Sequence, residues 1–202
     1  MDREWQRQWD ARHRAREGWP EPSRVLAENA HLLPATGEAL DLACGLGSDA
    51  LLLAARGLRV HGWDFSPVAL ERLRARAAAQ GLSIETELRD VVAAPPPANA
   101  FDLINVSHFL ERSLAPALAV ALRPGGLLCY QTFTRSQPPG QCRGPDNPAF
   151  RLAENELLGL FVPPLRLLVY REESLAGDRY LGWRGMALLV ARKPAASPEE
   201  TK

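Results

Sequence analysis

A glycine-containing turn between two short apolar runs, followed by a carboxylate, has the residue types and spacing best suited to binding chemistry. Residues 38–42 form the first run, Gly45 and Gly47 follow it, and Asp64 closes the second run 23 residues after Asp41. Glycines let backbone amides approach a ligand closely, and a carboxylate at this distance can accept hydrogen bonds from ribose hydroxyls. The spacing therefore predicts a strand–turn–helix–strand unit that binds a nucleotide at the carboxyl ends of parallel strands.

The glycine turn alone leaves two cofactor classes open. The spacing Gly45-x-Gly47-x-x-Ala50 also fits the dinucleotide fingerprint of NAD-dependent enzymes. An NAD(P)-dependent reductase is therefore an alternative function. The commonest small reductases use a Tyr-x-x-x-Lys pair, whereas this chain has lysine only at Lys193 and Lys202, with no tyrosine four residues before either. The rest of the sequence thus weighs against that class.

Short apolar runs and helix signals alternate along the chain, as they do in α/β proteins. Ser66-Pro67 is typical of a helix start and Gly81 of a helix end. Residues 101–106 are nearly all apolar, as expected for a parallel strand covered on both faces. The pattern predicts strands at 38–42, 58–64, 82–88, 101–106, 127–133, 165–171 and 185–192, the last two as an antiparallel pair, and helices at 48–56, 67–80, 111–122 and 153–161.

The N-terminal segment, residues 1–36, is predicted to form a helical cap. A helix over 3–16 carries Trp5 and Trp9 four residues apart, and a proline-rich break separates it from a second helix that reaches about Leu33. The tryptophans either face the core or close over the cofactor, and the sequence leaves both positions open.

A long irregular segment, residues 134–149, interrupts the alternation after the fifth strand. It is rich in proline and glycine and too long for a simple connection, which is typical of lids and substrate walls. The chain is therefore divided into the cap at 1–36, a catalytic-size domain at 37–193 and a tail at 194–202 that is expected to be disordered.

Composition excludes several function classes. The chain has 202 residues, is 46% hydrophobic and has a formal net charge of zero, so it lacks the basic footprint of a nucleic-acid-binding protein. Cys44, Cys129 and Cys142 are odd in number and show no CxxC spacing, so neither a disulfide framework nor a metal site is indicated. No apolar run is long enough to span a membrane. We therefore expect a soluble cytoplasmic protein, either a monomer or a homodimer.

Five motifs occur in the order found in S-adenosylmethionine (SAM)-dependent methyltransferases, and together they resemble the class I type of that family. They are Asp41-x-Ala43-Cys44-Gly45-x-Gly47, Asp64 closing strand two, Asp90 closing strand three, Phe101-Asp102-Leu103-Ile104 in strand four and Leu122-Arg123-Pro124-Gly125-Gly126 before strand five. The resemblance covers residues 37–192. It implies a Rossmann-like α/β fold: a seven-stranded, mostly parallel sheet in the order 3-2-1-4-5-7-6, with helices on both faces and a C-terminal antiparallel pair.

Further motifs are similar to the tellurite-resistance methyltransferase group. They are Trp9-Asp10-Ala11-Arg12, Glu21-Pro22-Ser23, the cysteine at Cys44, Leu110-Glu111-Arg112-Ser113-Leu114 and Tyr130-Gln131-Thr132-Phe133-Thr134. The resemblance implies methyl transfer from SAM to a small-molecule acceptor, either a chalcogen oxyanion such as tellurite or selenite, or a thiol. A noncatalytic SAM-binding module is an alternative of a different class, because an intact cofactor motif does not prove turnover.

The resemblance assigns the methionine end of SAM to the first motif and to strand four. Backbone groups at Ala43, Cys44 and Gly45 can approach the methionine, and Asp41 suits its ammonium. Asn105, at the end of strand four, can contact the same portion. The remaining assignments are Asp64 to the ribose hydroxyls, Phe65 to the adenine face, Asp90 and the Val91 amide to the adenine edge, and Gly47 to the cofactor turn.

Candidate acceptor residues lie after strands four and five. His108 is the best candidate for a base or acceptor contact, and a loop histidine bonded to backbone is the alternative. Arg135 and Arg143 flank the long loop and could bind an anionic acceptor, although surface arginines are abundant in this chain. Tyr130 and Gln131 point alternately from strand five, so one of them could add a pocket contact. Methyl transfer is an in-line displacement, so a base is needed only for an acceptor that carries a proton.

Overall fold

A seven-stranded sheet organises the structure, a computed structural model that describes residues 3–140 and 143–195. The strand order is β3-β2-β1-β4-β5-β7-β6, with β7 antiparallel to both of its neighbours and the other pairs parallel. This confirms the predicted Rossmann-like α/β fold. The strands are β1 (Glu38–Leu42), β2 (Arg59–Asp64), β3 (Ile84–Leu88), β4 (Phe101–Ser107), β5 (Leu122–Phe133), β6 (Arg166–Glu172) and β7 (Met186–Arg192).

Six α-helices accompany the sheet within the described residues. They are α1 (Arg3–Ala15), α2 (Arg24–Glu28), α3 (Ser48–Ala55), α4 (Pro67–Ala79), α5 (Ala115–Ala121) and α6 (Glu156–Phe161). Short 3-10 turns occur at Ala30–Leu32, Arg112–Leu114 and Pro148–Phe150. In the described part of the chain, none of these helices has the length and apolar character needed to cross a membrane. Cys142 and the predicted tail beyond residue 195 lie outside the described residues.

Three predicted boundaries shift for local reasons. The predicted helix at 111–122 begins as a 3-10 turn and becomes α-helical only from Ala115, because Pro116 occupies its first turn. The second N-terminal helix ends at Glu28, where the Asn29 side-chain amide donates to the Val25 carbonyl at 3.0 Å. Strand β5 begins earlier than predicted, since Leu122 already pairs with Phe101 before the register shifts.

The central strands are buried from both sides, which is why they lack alternation. One face packs Leu42, Ile104 and Leu128 against α5 and α6, and the other packs Ala39, Val60 and Leu103 against α3 and α4. With β1 and β4 adjacent at the centre, the carboxyl ends of β1, β2 and β4 open onto one edge of the sheet.

Candidate functional site

A large cavity opens at the carboxyl ends of the central strands. Its volume is about 1100 Å³, slightly above the usual range for a single small-molecule site. It can therefore hold a cofactor together with a second small molecule. Its wall is formed by the turn after β1, the ends of β2 and β4, the segment after β3, helix α1 and the loop after β5. The lining residues include Trp5, Trp9, Arg12, His13, Arg16, Asp41, Ala43, Cys44, Gly45, Asp49, Asp64, Phe65, Arg89, Asp90, Val91, Ser107, His108, Phe133 and Phe150.

The turn after β1 presents backbone to the cavity. Ala43 and Gly45 have positive φ values of 55° and 52°, which fold the chain tightly enough for the Cys44 amide to donate to the Trp63 carbonyl at 3.0 Å. Gly47, with φ 72°, does not line the cavity. A Cβ atom there would lie 2.3 Å from Leu73 Cδ1, so this glycine serves the close packing of α3 on α4.

Asp41, at the end of β1, belongs to a buried polar cluster beneath the turn. Its Oδ2 accepts from the Ala50 amide at 3.0 Å and its Oδ1 from Asn105 Nδ2 at 2.8 Å. Asp41 is only 2% exposed yet lines the cavity, whereas Asn105 is fully buried behind it and does not. Burial, reinforced by the nearby Asp49 carboxylate, raises the pKa of Asp41 well above its ordinary value.

Asp49 is a site residue that the sequence reasoning missed. Its Oδ1 accepts from the Ser23 amide at 2.6 Å and its Oδ2 from Asn105 Nδ2 at 3.0 Å. It therefore joins the N-terminal segment to the centre of the sheet. An acidic residue in the first turn of a helix that follows a glycine turn was the available signal, because helix N-termini favour negative charge.

Asp64 ends β2 and faces the same turn. Its Oδ2 accepts from the Gly45 amide and its Oδ1 from the Ser66 amide, both at 2.8 Å. The side chain is 4% exposed, and burial raises its pKa to about 6. Each carboxylate oxygen has two lone pairs, so these two bonds leave capacity to accept further hydrogen bonds from a ligand.

The raised pKa of Asp64 predicts a stability effect of defined sign. The folded protein keeps a proton on Asp64 up to about pH 6, whereas the unfolded chain loses it near 3.8. This contribution is fully present below the lower value and is lost as pH rises through the upper one. The stability that Asp64 contributes should therefore grow by about 1–2 kcal/mol between about pH 7.5 and about pH 5.

Thermal unfolding of the ligand-free protein along this pH series tests the effect. His13 and His108 oppose it, because burial lowers the pKa of both imidazoles. At each pH we therefore compare the stability of the wild type with that of Asp64→Asn, whose side chain cannot titrate. A constant difference across the series would show that Asp64 is ionised throughout and that the argument from burial is wrong.

The segment after β3 forms the far wall. Asp90 Oδ1 accepts from the Val92 and Ala93 amides at 3.1 and 3.3 Å, so it initiates the turn that follows the strand. Val91 is buried and faces the cavity. Eight of the ten residues predicted to bind the cofactor thus line one cavity, while Gly47 and Asn105 do not.

His108 lies at the cavity with φ 58°, immediately after β4. Its backbone amide donates to the Gln131 carbonyl at 2.8 Å, and its ring packs 5.2 Å from the ring of Phe133. The ring nitrogens lie 3.0 Å from Ser107 Oγ and 3.4 Å from Gln131 Nε2. Partial desolvation lowers the pKa of His108, although the residue as a whole is exposed. The imidazole is therefore neutral near pH 7.

The two arginines predicted to bind an acceptor do not reach the cavity. Arg135 is exposed and its Nε donates to the Pro148 carbonyl at 3.4 Å, and Arg143 is exposed as well. The side chains of both are directed elsewhere because the loop folds back along β5 through its Thr134–Leu152 bridge. Arginines do line the cavity, but they are Arg12, Arg16 and Arg89.

Helix α1 closes the cavity from the N-terminal side. Trp5 stacks on Phe150 from the opposite loop, with ring centroids 5.7 Å apart, and Gln6 Nε2 donates to the Phe65 carbonyl at 2.8 Å. Asp10 accepts a hydrogen bond from the Ser66 hydroxyl. Trp5 and Trp9 line the cavity rather than the core, which decides between their two predicted positions. The sequence reasoning missed Arg12, His13 and Arg16, which line the same cavity. Their spacing of three and four residues from the tryptophans was the signal that could have identified them.

Arg72 on α4 holds the end of this helix, and its loss should release α1. Its guanidinium donates to the carbonyls of His13 and Arg16 and lies 4.9 Å from the ring of Trp19. Because α1 has no buried residue, few other contacts hold it in place. We expect Arg72→Ala to speed trypsin cleavage within α1 several-fold, as read by mass spectrometry of the released peptides.

Arg74→Ala is the matched control, since Arg74 lies on the same helix and bonds Thr86 on β3 instead. It should leave the cleavage rate unchanged. Equal cleavage rates for the wild type and Arg72→Ala would mean that other contacts fix α1.

The chain resembles named methyltransferases in sequence. Residues 39–126 match the family model for a methyltransferase domain. A trans-aconitate 2-methyltransferase from Paracidovorax citrulli is 38% identical over 115 residues, which cover 53% of this chain and 43% of that protein. The chain spans about half the length of the curated relatives it matches.

Solved structures share the whole fold. A structure described under the conversion of a disulfide bond into a thioacetal group during echinomycin biosynthesis has a TM-score of 0.71 and 25% identity, covering 96% of this chain and 94% of that one. TehB from Haemophilus influenzae has a TM-score of 0.66 and 27% identity, covering 84% of this chain and 61% of TehB. The similarity therefore extends beyond the segment that matches in sequence.

Proposed function

We propose that this chain, which carries a class I SAM-dependent methyltransferase domain, transfers the methyl group of SAM to a small anionic acceptor. The observation that supports it best is a single cavity lined by an exposed backbone turn and by carboxylates at the ends of three consecutive strands. Asp41 lies near the end of β1, Asp64 ends β2 and Asp90 follows β3, and these three strands are neighbours in the sheet. Adjacent strands lie roughly 4.8 Å apart, a spacing that suits the ammonium, ribose and adenine of an extended cofactor.

The charge of the cavity supports a cationic cofactor. SAM carries a sulfonium and an ammonium, and the cavity contains the buried carboxyls of Asp41, Asp49 and Asp64. Burial raises the pKa of Asp41 and Asp64 in the ligand-free protein, so these groups gain most from a positive partner. We assign Asp41 to the ammonium and Asp64 to the ribose hydroxyls.

The remaining assignments follow the order of the wall. Backbone groups of Ala43, Cys44 and Gly45 would hold the methionine, and Phe65 and Val91 would enclose the adenine with Asp90 at its edge. Burial raises the pKa of the Cys44 thiol well above its ordinary value, and that of Cys129 to about 12. Both thiols stay protonated, so they suit packing rather than nucleophilic chemistry.

The protein would contribute to catalysis mainly by positioning the two reactants. SAM supplies an activated methyl group, and the cavity has to align the acceptor with the methyl carbon and exclude water. Trp5 and Phe150, which stack on each other at the cavity, would contribute to that exclusion. The acceptor would lie beside Ser107 and His108, at the end of β4.

We assign the acceptor to the oxyanion class, such as tellurite or selenite. The structural similarity to TehB supports this class, in agreement with the motifs shared with the tellurite-resistance group. The guanidinium groups of Arg12 and Arg16 line the α1 side of the cavity and support an anion there. That of Arg12 lies 5.0 Å from the centroid of the Trp9 ring, which leaves its N–H groups available to an anion. A carboxylate is the related alternative, since the P. citrulli relative is named for methyl transfer to trans-aconitate.

Isothermal titration with S-adenosylhomocysteine (SAH), NADH and NADPH tests the cofactor. SAH should bind in the micromolar range, and the nicotinamides should not bind. Binding of NADH or NADPH without SAH would return the chain to the reductase class. A methyl-transfer assay with selenite, tellurite, trans-aconitate and 2-mercaptoethanol then tests turnover. SAH binding with no methylation of any acceptor would instead support a noncatalytic SAM-binding module.

A further inference from the structure

A chain of hydrogen bonds runs from helix α2 to the cavity wall. The Val25 amide donates to Gln131 Oε1 at 2.9 Å, Gln131 Nε2 lies 3.4 Å from His108 Nε2, and His108 Nδ1 lies 3.0 Å from Ser107 Oγ. Gln131 is only 3% exposed and does not line the cavity, whereas Ser107 and His108 do. The buried end of this chain of hydrogen bonds, at Gln131, is thus fixed by the backbone amide of Val25.

The direction of each bond follows from the first one. An amide side chain has one oxygen that only accepts and one nitrogen that only donates. Since Gln131 Oε1 accepts from Val25, its Nε2 must face His108 as a donor. His108 Nε2 must therefore present a lone pair. In a neutral imidazole the single proton is then on Nδ1, and Nδ1 donates to Ser107 Oγ.

The hydrogen-bond chain ends at a hydroxyl whose hydrogen has no partner among the described residues. Ser107 Oγ accepts from His108, and it makes no other hydrogen bond within residues 3–140 and 143–195. A serine hydroxyl that accepts can still donate its own hydrogen. The free direction from Ser107 is the cavity, beside the ring of Phe133.

We propose that Ser107 donates a hydrogen bond to the methyl acceptor, and that Gln131 and His108 are positioning residues that orient its hydroxyl. This rests on the proposed methyltransferase function and narrows its acceptor class. The lone pair of His108 is occupied by Gln131, so the histidine does not accept a proton from the acceptor. The acceptor must arrive with an electron pair already available, as a chalcogen oxyanion or a carboxylate does.

The bond changes balance without a base. The electron pair of the acceptor atom forms the new bond to the methyl carbon as the carbon–sulfur bond breaks, and the sulfonium becomes a neutral thioether. The acceptor loses one negative charge, the cofactor loses one positive charge, and no proton moves. A neutral thiol or alcohol would instead need a proton acceptor, which Ser107 in this arrangement does not supply.

Nitrogen-15 NMR of the histidine rings tests the orientation without any turnover. The chain has four histidines, and His108→Gln identifies the signal of His108 by its loss. In the SAH complex we expect the Nδ1–H tautomer in the wild type. In Gln131→Glu a carboxylate oxygen replaces the donor, so Nε2 should become protonated. An Nε2–H tautomer in the wild type would contradict the hydrogen-bond directions given above and overturn the proposal, whatever the enzyme's activity.

Kinetics test the role of Ser107. With selenite or trans-aconitate as acceptor, Ser107→Ala should lower kcat/KM by about tenfold to a hundredfold, as expected for loss of one hydrogen bond that holds and aligns a charged acceptor. SAH affinity should stay unchanged, and Ser107→Thr should restore much of the rate. Ser83→Ala, at an exposed position before β3, is the matched control. Unchanged kcat/KM in Ser107→Ala would overturn the proposal.

The pH profile separates the donor role from general-base catalysis. Two charged groups shift the pKa of His108 in opposite directions. Asp49 on α3 raises it, and Arg16, just after α1, lowers it. With an acceptor that stays anionic, kcat should be flat from about pH 6.5 to about pH 8 because no proton is removed. The proposal would be overturned by two results together. One is a fall of kcat at acid pH that disappears in His108→Gln, and the other is a preference for 2-mercaptoethanol as acceptor. His108 would then be the general base. If no acceptor is methylated, the proposed function fails, while the tautomer of His108 still decides whether Gln131 and His108 orient the Ser107 hydroxyl.

Discussion

Asp64→Ala is expected to weaken SAH binding by about a hundredfold or more. An ionised carboxylate that accepts two ribose hydroxyls contributes roughly 1.5–3 kcal/mol per bond, because hydrogen bonds to charged groups are the stronger kind. The same substitution removes the acceptor for the Gly45 amide, which lies 2.8 Å from Asp64 Oδ2 and helps fix the turn. Isothermal titration of the two proteins at about pH 7.5 measures the loss.

Two further variants show whether the loss of SAH affinity comes from the charge of Asp64. Asp64→Asn keeps one carbonyl oxygen but loses the charge, so its affinity should lie between those of the wild type and the alanine variant. Asp102→Ala is the distant control, because Asp102 lies at the start of β4 and pairs with Arg123 at 2.6 Å. If Asp64→Ala binds SAH as the wild type does, the ribose is held elsewhere and the assignment of the cavity must change.

Gly47→Ala is expected to destabilise the protein by about 2–5 kcal/mol. The left-handed conformation costs a non-glycine residue roughly 1–2 kcal/mol, and crowding in a packed core adds about 1–3 kcal/mol. Here the added methyl group would lie 2.3 Å from Leu73 Cδ1, and Leu73 is fully buried. Urea denaturation gives the change in the free energy of unfolding.

Gly81→Ala isolates the conformational part of this cost. Gly81 has a similar φ of 67°, but nothing lies within 4 Å of its Cβ position. Its replacement should cost only about 1–2 kcal/mol. Equal losses at both positions would mean that Leu73 moves freely and that the steric argument for Gly47 is wrong.

The side of the cavity that we assign to the cofactor could be predicted from the sequence because its signals are local. Asp41, Gly45 and Asp64 belong to strand ends and turns whose order along the chain fixes their order in the sheet. Asn105 shows the limit of that reasoning. It occupies the predicted strand end, but the side chain turns inward to bond Asp41 and Asp49, because its face of the sheet is covered at that point.

The acceptor end could not be predicted in the same way because its wall comes from distant segments. Arg135 and Arg143 are close in sequence to β5, yet their loop carries them to the surface. Arg12 and Arg16 reach the cavity only through the packing of α1 on α4, which no strand motif encodes. His108 was predicted to lie at the site and does line the cavity, but the orientation of its ring depends on a bond between Gln131 and the backbone of α2.

Two of the bonds that build the site join residues far apart in the sequence. Asp41 and Asn105 are 64 positions apart, and Val25 and Gln131 are 106 apart. Such contacts form only after the long loops between them have closed, at a cost in chain entropy. A partly folded chain thus has no complete binding surface, and a ligand of this cavity stabilises only the native state. The rise in melting temperature with SAH concentration should therefore follow simple mass action, which makes thermal shift a direct measure of occupancy.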